Sequence, residues 1–176
     1  MSTFKTTLYA LAMATVSTSA LAATQGTVTF NGELIAETCE IAADSLDRQV
    51  QLPTISIQTL NAAGTSAGSK GFELNVEKCP EGITNVAAHF EAIGNDSDPG
   101  TGNLRNQYAG TGTAATNVQV RLYNSDQKPL KVGETGAAFP VTGGKATMRY
   151  YGGYYAIGAT TAGLVYAQAD YTLAYP

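Results

Sequence analysis

Apolar and polar residues alternate along most of the chain, with a period of two. Val28, Phe30, Gly32 and Leu34 share one parity, while Thr27, Thr29, Asn31 and Glu33 hold the other. The same alternation recurs where Phe72, Leu74 and Val76 are interleaved with Glu73, Asn75 and Glu77, and where Val86, Ala88, Phe90 and Ala92 are interleaved with Ala87, His89, Glu91 and Ile93. Val118, Val120 and Leu122 form another set, and residues 50–57 and 146–157 read as two further strands. A period of two puts each apolar set on one face of a β-strand. Glycine- and aspartate-rich turn segments separate the strands, notably residues 94–103 and 109–115. No long amphipathic helix is predicted, and residues 44–49 read as at most one short helical turn. About seven short strands punctuated by turns predict an all-β, antiparallel sandwich of immunoglobulin-like shape.

Both ends of the pattern raise a question. Near the C-terminus, Gly163, Val165, Ala167, Ala169, Tyr171, Leu173 and Tyr175 occupy every odd position, and Gln168, Asp170 and Thr172 lie between them. No turn signal or polar tail follows. This is either the last strand of a closed sheet or an edge meant for another strand. Near the N-terminus, Gly32 interrupts the apolar face of residues 27–36, where a glycine weakens a strand and signals close approach of another backbone. That segment is either an edge strand with a bulge or a piece fitted to something else.

Composition places these strands in a compartment. Lys5, an apolar run over residues 8–16 and Ala20-Leu21-Ala22 make the three parts of a secretory signal peptide cut after Ala22. The apolar run is shorter than the ~20 residues of a membrane span. Cleavage leaves 154 of the 176 residues, a size that suits one domain. It also takes the formal net charge from −4 to −5, because Lys5 is the one charged side chain removed. An acidic chain without a basic cluster argues against nucleic acid and anionic membranes as partners. Nineteen glycines, ten tyrosines and no tryptophan suit a β-rich exported domain. In an oxidising compartment the two cysteines, Cys39 and Cys79, are most simply a disulfide. Closing that loop is worth roughly 4 kcal/mol in the chain-entropy account. A redox pair or a two-cysteine metal site is the weaker reading.

The residues offer little for catalysis. His89 is the one histidine, and its neighbours Ala88 and Phe90 put it on the solvent face of a strand. There is no Gly-x-Ser-x-Gly elbow and no metal-ligand cluster. The loop Asn95, Asp96, Ser97 and Asp98 lacks the later acidic ligand and the spacing of a calcium loop. Tyr150, Tyr151, Tyr154 and Tyr155 could stack on sugar rings, but strand spacing sends half of them to a core or groove lining. No catalytic, cofactor-binding or metal-binding residue is predicted, and no cofactor.

Several stretches resemble the major subunits of chaperone–usher fimbriae, the group containing the type 1 and P pilus rod pilins. "GTVTFNGELIAETCEI" (26–41) is similar to the family's N-terminal extension running into its first cysteine. "KGFELNVEKC" (70–79) is similar to the segment carrying the second, and "ATNVQVRLYNSDQKPL" (115–130) to the middle of the domain. Tyr175 is penultimate, and Gly163 stands fourteenth from the end. The likeness covers essentially the whole precursor. It implies an incomplete immunoglobulin-like sandwich lacking its seventh and last strand, completed by a donor strand from a neighbouring subunit or a chaperone. It divides the chain into a signal peptide (1–22), a donor-strand extension (23–36) and a pilin domain (37–176). The donor positions are Val28, Phe30, Gly32, Leu34 and Ala36. The groove edge and chaperone contact are Gly163, Val165, Ala167, Ala169, Tyr171, Leu173 and Tyr175. Pro176 has no N–H to donate to a ladder there. The implied partners are identical or related pilins in a linear polymer, a periplasmic chaperone and an outer-membrane usher, without membrane insertion. The implied location is the extracellular fimbrium, reached through the periplasm, and the implied role is structural support of adhesion. The alternatives are a minor or tip-adaptor pilin and a carbohydrate-binding adhesin.

Overall fold

The computed structural model describes residues 26–35 and 37–176; the predicted signal peptide, residues 1–22, and Ala36 of the predicted extension lie outside the described residues. The chain divides into two units, Met1–Leu34 and Ile35–Pro176. In the first, residues 26–34 join no β-ladder, and Val28, Phe30 and Leu34 are 76%, 90% and 101% exposed. Removing such apolar side chains from water would be favourable.

The second unit is built of strands. In chain order they are β1 (Glu40–Ile41), β2 (Ser66–Glu77), β3 (Asn85–Ala92), β4 (Leu104–Arg105), β5 (Val118–Tyr123), β6 (Pro129–Leu130), β7 (Phe139–Pro140), β8 (Ala146–Ala156) and β9 (Ala169–Ala174), with a 3-10 turn at Ile57–Leu60. One sheet runs β1-β2-β8-β5-β4 with β6 added against β5, and a second runs β7-β3-β9. Every one of these pairings is antiparallel.

Parity explains the register. Phe72, Leu74 and Val76 of β2 stand opposite Tyr150, Met148 and Ala146 of β8, so both apolar sets face inward together. They meet Val86, Ala88 and Phe90 of β3 in one buried cluster. Tyr150 is fully buried at its centre, edge-on to Phe90 at 5.2 Å and to Phe139 at 5.6 Å between ring centroids. Its hydroxyl accepts the Ala88 N–H at 3.0 Å and donates to the Ala137 carbonyl at 2.9 Å, so no polar atom is stranded. Cys39 and Cys79 are joined as a disulfide, which ties the segment before β1 to the end of β2. A second, smaller cluster gathers Leu60, Ala115, Val118 and Ala156.

Three alternating stretches of the sequence lie wholly or partly outside the ladders. Residues 50–57 are not a strand; they run as irregular chain into the 3-10 turn. Residues 27–34 carry the alternation of a strand but pair with nothing among the described residues. The C-terminal strand is confined to Ala169–Ala174, six residues of the alternating tail. In each case an apolar period is present and a ladder partner is not, and a strand exists only through its partner. Residues 44–49 form turns at 43–47 rather than a helix.

Candidate functional site: an open groove beside the C-terminal strand

Among the described residues β9 has a single neighbour. Its residues pair with β3 from Ala87↔Ala174 to Ala92↔Ala169, and it ends the sheet, so its other edge carries no ladder. Along the tail, Val165, Ala167, Ala169, Tyr171, Leu173 and Tyr175 are half-buried, while Tyr166, Gln168, Asp170 and Thr172 are exposed. Half-burial of an apolar face that runs along an unpaired edge describes one wall of an uncovered cleft.

The opposite wall is residues 46–52, where no backbone group pairs with another backbone group among the described residues. Between the walls lies a groove of about 720 Å³. Leu46, Val50 and Leu52 line it on one side, Val165, Ala167 and Tyr171 on the other, and Phe72, Phe90, Val120, Leu122 and Tyr154 form its floor. Gly152 also reaches the floor, and a methyl group added there would meet only Val120, at 4.0 Å. A shallower volume of about 590 Å³ continues the groove past Cys39, Ile41, Leu173 and Tyr175. The result is a trough with an apolar floor, a polar rim and two backbone edges without ladders among the described residues, which is what an added strand requires.

Tyrosine hydroxyls tie the walls together at the cysteine end. The Cys39 N–H donates to Tyr175 Oη at 3.0 Å, and Tyr171 Oη donates to the Ser45 carbonyl at 2.8 Å. Ser45 is completely buried; its Oγ accepts the Asn75 N–H at 2.8 Å and donates to Asp44 Oδ1 at 3.0 Å. Hydrogen bonds from Asn75 and Ser45 hold the Asp44 carboxyl below the usual range. Burial pushes the Tyr171 phenol up, and the Asp44 charge adds to that.

Of the seven predicted groove-edge positions, Val165, Ala167, Ala169 and Tyr171 line the deep part, and Tyr171, Leu173 and Tyr175 the shallow part. Gly163 lines neither. It packs on the loop before β5, where a Cβ would collide with the backbone of Ala114 and Ala115, and that contact requires a glycine. The predicted donor positions Val28, Phe30, Gly32 and Leu34 lie in the other unit, and Ala36 is outside the described residues. Sequence reasoning missed the facing wall, Leu46, Val50 and Leu52. The signal for Val50 and Leu52 is the apolar alternation at 50–57, which by itself predicts a paired strand.

Other candidate chemistry is accounted for locally. His89 Nδ1 lies 2.9 Å from Thr135 Oγ1, with Nε2 3.6 Å from Glu91. Asp98 accepts N–H bonds from Gly100 and Thr101 and one from the Gln119 amide, which lower its pKa and occupy its oxygens within the loop. Among the described residues no cluster of three or more potential metal ligands occurs. Of the four clustered tyrosines, Tyr150 is core and Tyr154 lines the groove, while Tyr155 lies under Arg121 at 3.6 Å.

The sequence model of the family described as Fimbrial protein matches residues 28–176, from the exposed N-terminal segment through the last residue of the sandwich. The chain belongs to the fimbrial protein family. It is 37% identical over 173 residues to the F17 fimbrial protein of Escherichia coli, covering 93% of this chain and 94% of that one. To the major fimbrial subunit SMF-1 of Stenotrophomonas maltophilia it is 40% identical over 163 residues, covering 87% and 94%. A solved structure of a chaperone–usher pilus superposes with a TM-score of 0.62 at 19% identity, over 90% of this chain and all of that one. The architecture is therefore the pilin form of the immunoglobulin-like sandwich, without its closing strand.

Proposed function

We infer that this chain is a structural, non-enzymatic subunit of a bacterial surface fimbria, exported through the periplasm and polymerised by strand exchange. The observation that carries the reading is the groove: a trough of about 720 Å³ with an apolar floor and a polar rim, bounded by β9 on one side and residues 46–52 on the other, both with backbone edges that join no ladder among the described residues. Pilin donor-strand complementation is a known case of strand addition to a sheet edge, in which main-chain bonds supply affinity and side-chain pockets specificity. The complement is the N-terminal segment. Residues 23–36 act as the donor, with Val28, Phe30, Leu34 and Ala36 facing the neighbour's floor and residues 37–176 forming the receiving domain. Full burial of each large apolar side chain contributes roughly 1.5 to 3 kcal/mol. Gly32 has no heavy atom within 4 Å of where its Cβ would sit, so nothing among the described residues explains the glycine. A neighbour's groove pressing on its backbone does.

Before polymerisation, the open edge needs a cover, since an apolar unpaired strand aggregates. A periplasmic chaperone supplies that cover and an outer-membrane usher the exit, and identical or related pilins are the final partners. The signal peptide at 1–22 directs the chain into that route. The test is electron microscopy of surface fibres from cells with and without this chain, together with gel mobility of the unheated fibres. The reading predicts loss of fibres without the chain and a ladder of denaturant-resistant multimers containing it. Unchanged fibres, or its recovery as monomer alone, would overturn the reading.

A further inference from the structure

Alternation alone does not set the register of a strand entering the groove. A slip of one residue turns the apolar face outward, but a slip of two keeps every parity and still buries apolar side chains. Something asymmetric along the strand must choose among these registers. Residues 23–36 carry a single charged side chain, Glu33, on the parity opposite Val28, Phe30 and Leu34, and so on the rim side of a docked strand. Among the described residues lining the groove there is a single cation, Arg48, and there are three carboxylates, Asp47, Glu91 and Asp170. Arg48 is exposed and has no carboxylate within 4.0 Å among the described residues. The nearby acids have hydrogen-bond partners of their own: Asp44 is held by Asn75 and Ser45, with the Arg48 charge a lesser influence on it, and Asp47 by the Gln49 amide at 2.6 Å.

We propose that Arg48 of a receiving subunit pairs with Glu33 of the incoming strand of a second copy, and that this pair fixes the strand's register. The inference rests on the strand-accepting reading of the groove. Registers that bring Glu33 level with Asp170 or Glu91 set two carboxylates together, and like charges across strands are destabilising. The register at Arg48 replaces that repulsion with attraction. A rim pair of this kind acts mainly on encounter rate and specificity, and it is screened by salt.

The test uses the full-length chain purified with its periplasmic chaperone and a synthetic peptide of residues 23–36, following displacement of the chaperone by mass and gel mobility. On the unaltered chain at low salt, a peptide carrying Glu33→Lys should load about two- to fivefold more slowly than the unaltered peptide. On a chain carrying Arg48→Glu the order should reverse, and at about 0.5 M salt the difference should shrink toward none. Arg48 lies in no ladder or core cluster, so the fold does not depend on it, and the two peptides are compared on the same Arg48→Glu complex so that any change in the chaperone's own hold on this groove residue cancels. Equal loading of the two peptides at low salt, or failure of Arg48→Glu to reverse the order, would overturn the pairing while leaving strand acceptance intact. Failure of the unaltered peptide to load on the unaltered chain would overturn strand acceptance itself, and the pairing with it.

Discussion

Tyr150 and Gly32 mark two kinds of position, one explained inside the chain and one outside it. Tyr150 fills the centre of the sandwich, and its hydroxyl satisfies a buried backbone N–H on β3. Tyr150→Phe keeps the ring and strands the Ala88 N–H, so it should cost about 1 to 3 kcal/mol in denaturant unfolding of the chaperone-free, strand-completed subunit. Burial raises the phenol pKa of Tyr150, Tyr154 and Tyr171. Groups raised on folding contribute stability that is complete below the unfolded value near 10 and is lost as pH climbs through the higher folded value. Thermal melts should therefore decline above about pH 10, and less steeply in Tyr150→Phe; an unchanged slope would assign the decline to other groups. Gly32 behaves in the opposite way. Gly32→Leu should leave the unfolding of its own domain within about 0.5 kcal/mol, as for a surface change. It should slow polymerisation, because overpacking a closed groove costs typically 1 to 3 kcal/mol. Polymerisation at the unaltered rate would contradict the donor role of residues 23–36.

Among the elements, the long strands were legible because both faces of their pattern are used. In the second half of β2 and the first half of β8 one parity meets the core and the other is more exposed, and the period shows it directly; β3 and β5 keep the same apolar parity although Ala87 and Gln119 on the other parity are also buried. Four strands of two residues, β1, β4, β6 and β7, left no period to read. Residues 50–57 misled for a physical reason: Val50 and Leu52 are apolar because they wall the groove, not because they pair with another strand. The edge of β9 was legible in the parity of the tail, whereas the extent of the wall was not, since Gly163 is needed for its contact with Ala114 and Ala115. On the groove face of β9, Leu173→Asp places a carboxylate where an apolar partner must lie, and burying an unpaired charge is strongly unfavourable. Recovery of this variant with the chaperone from the periplasm should fall well below that of the unaltered chain, as measured by quantitative gel. Thr172→Asp, on the exposed parity, should be recovered normally. Equal recovery of the two variants would mean that the partner does not cover this face.

At the scale of the molecule, the proposed reading makes a sandwich with an unfilled groove and an apolar segment outside its ladders two halves of one repeating contact. Such a contact is heterologous: the segment of one copy fits a different surface of the next, so the assembly grows as an open fibre and does not close as a dimer. The chain belongs to the fimbrial protein family, and the Cys39–Cys79 disulfide closes a loop that begins after residues 23–36, so the proposed donor segment lies outside it. The most direct test is in vitro assembly from chaperone complexes of a chain lacking residues 23–34. All groove residues and both cysteines remain in that chain, so it should fold, be held by the chaperone and accept a strand from an unaltered subunit. It should then pass none onward, so that mixed reactions end in short, capped polymers on unheated gels. Polymers of unaltered length containing the shortened chain, or failure of that chain to fold on the chaperone, would contradict the account.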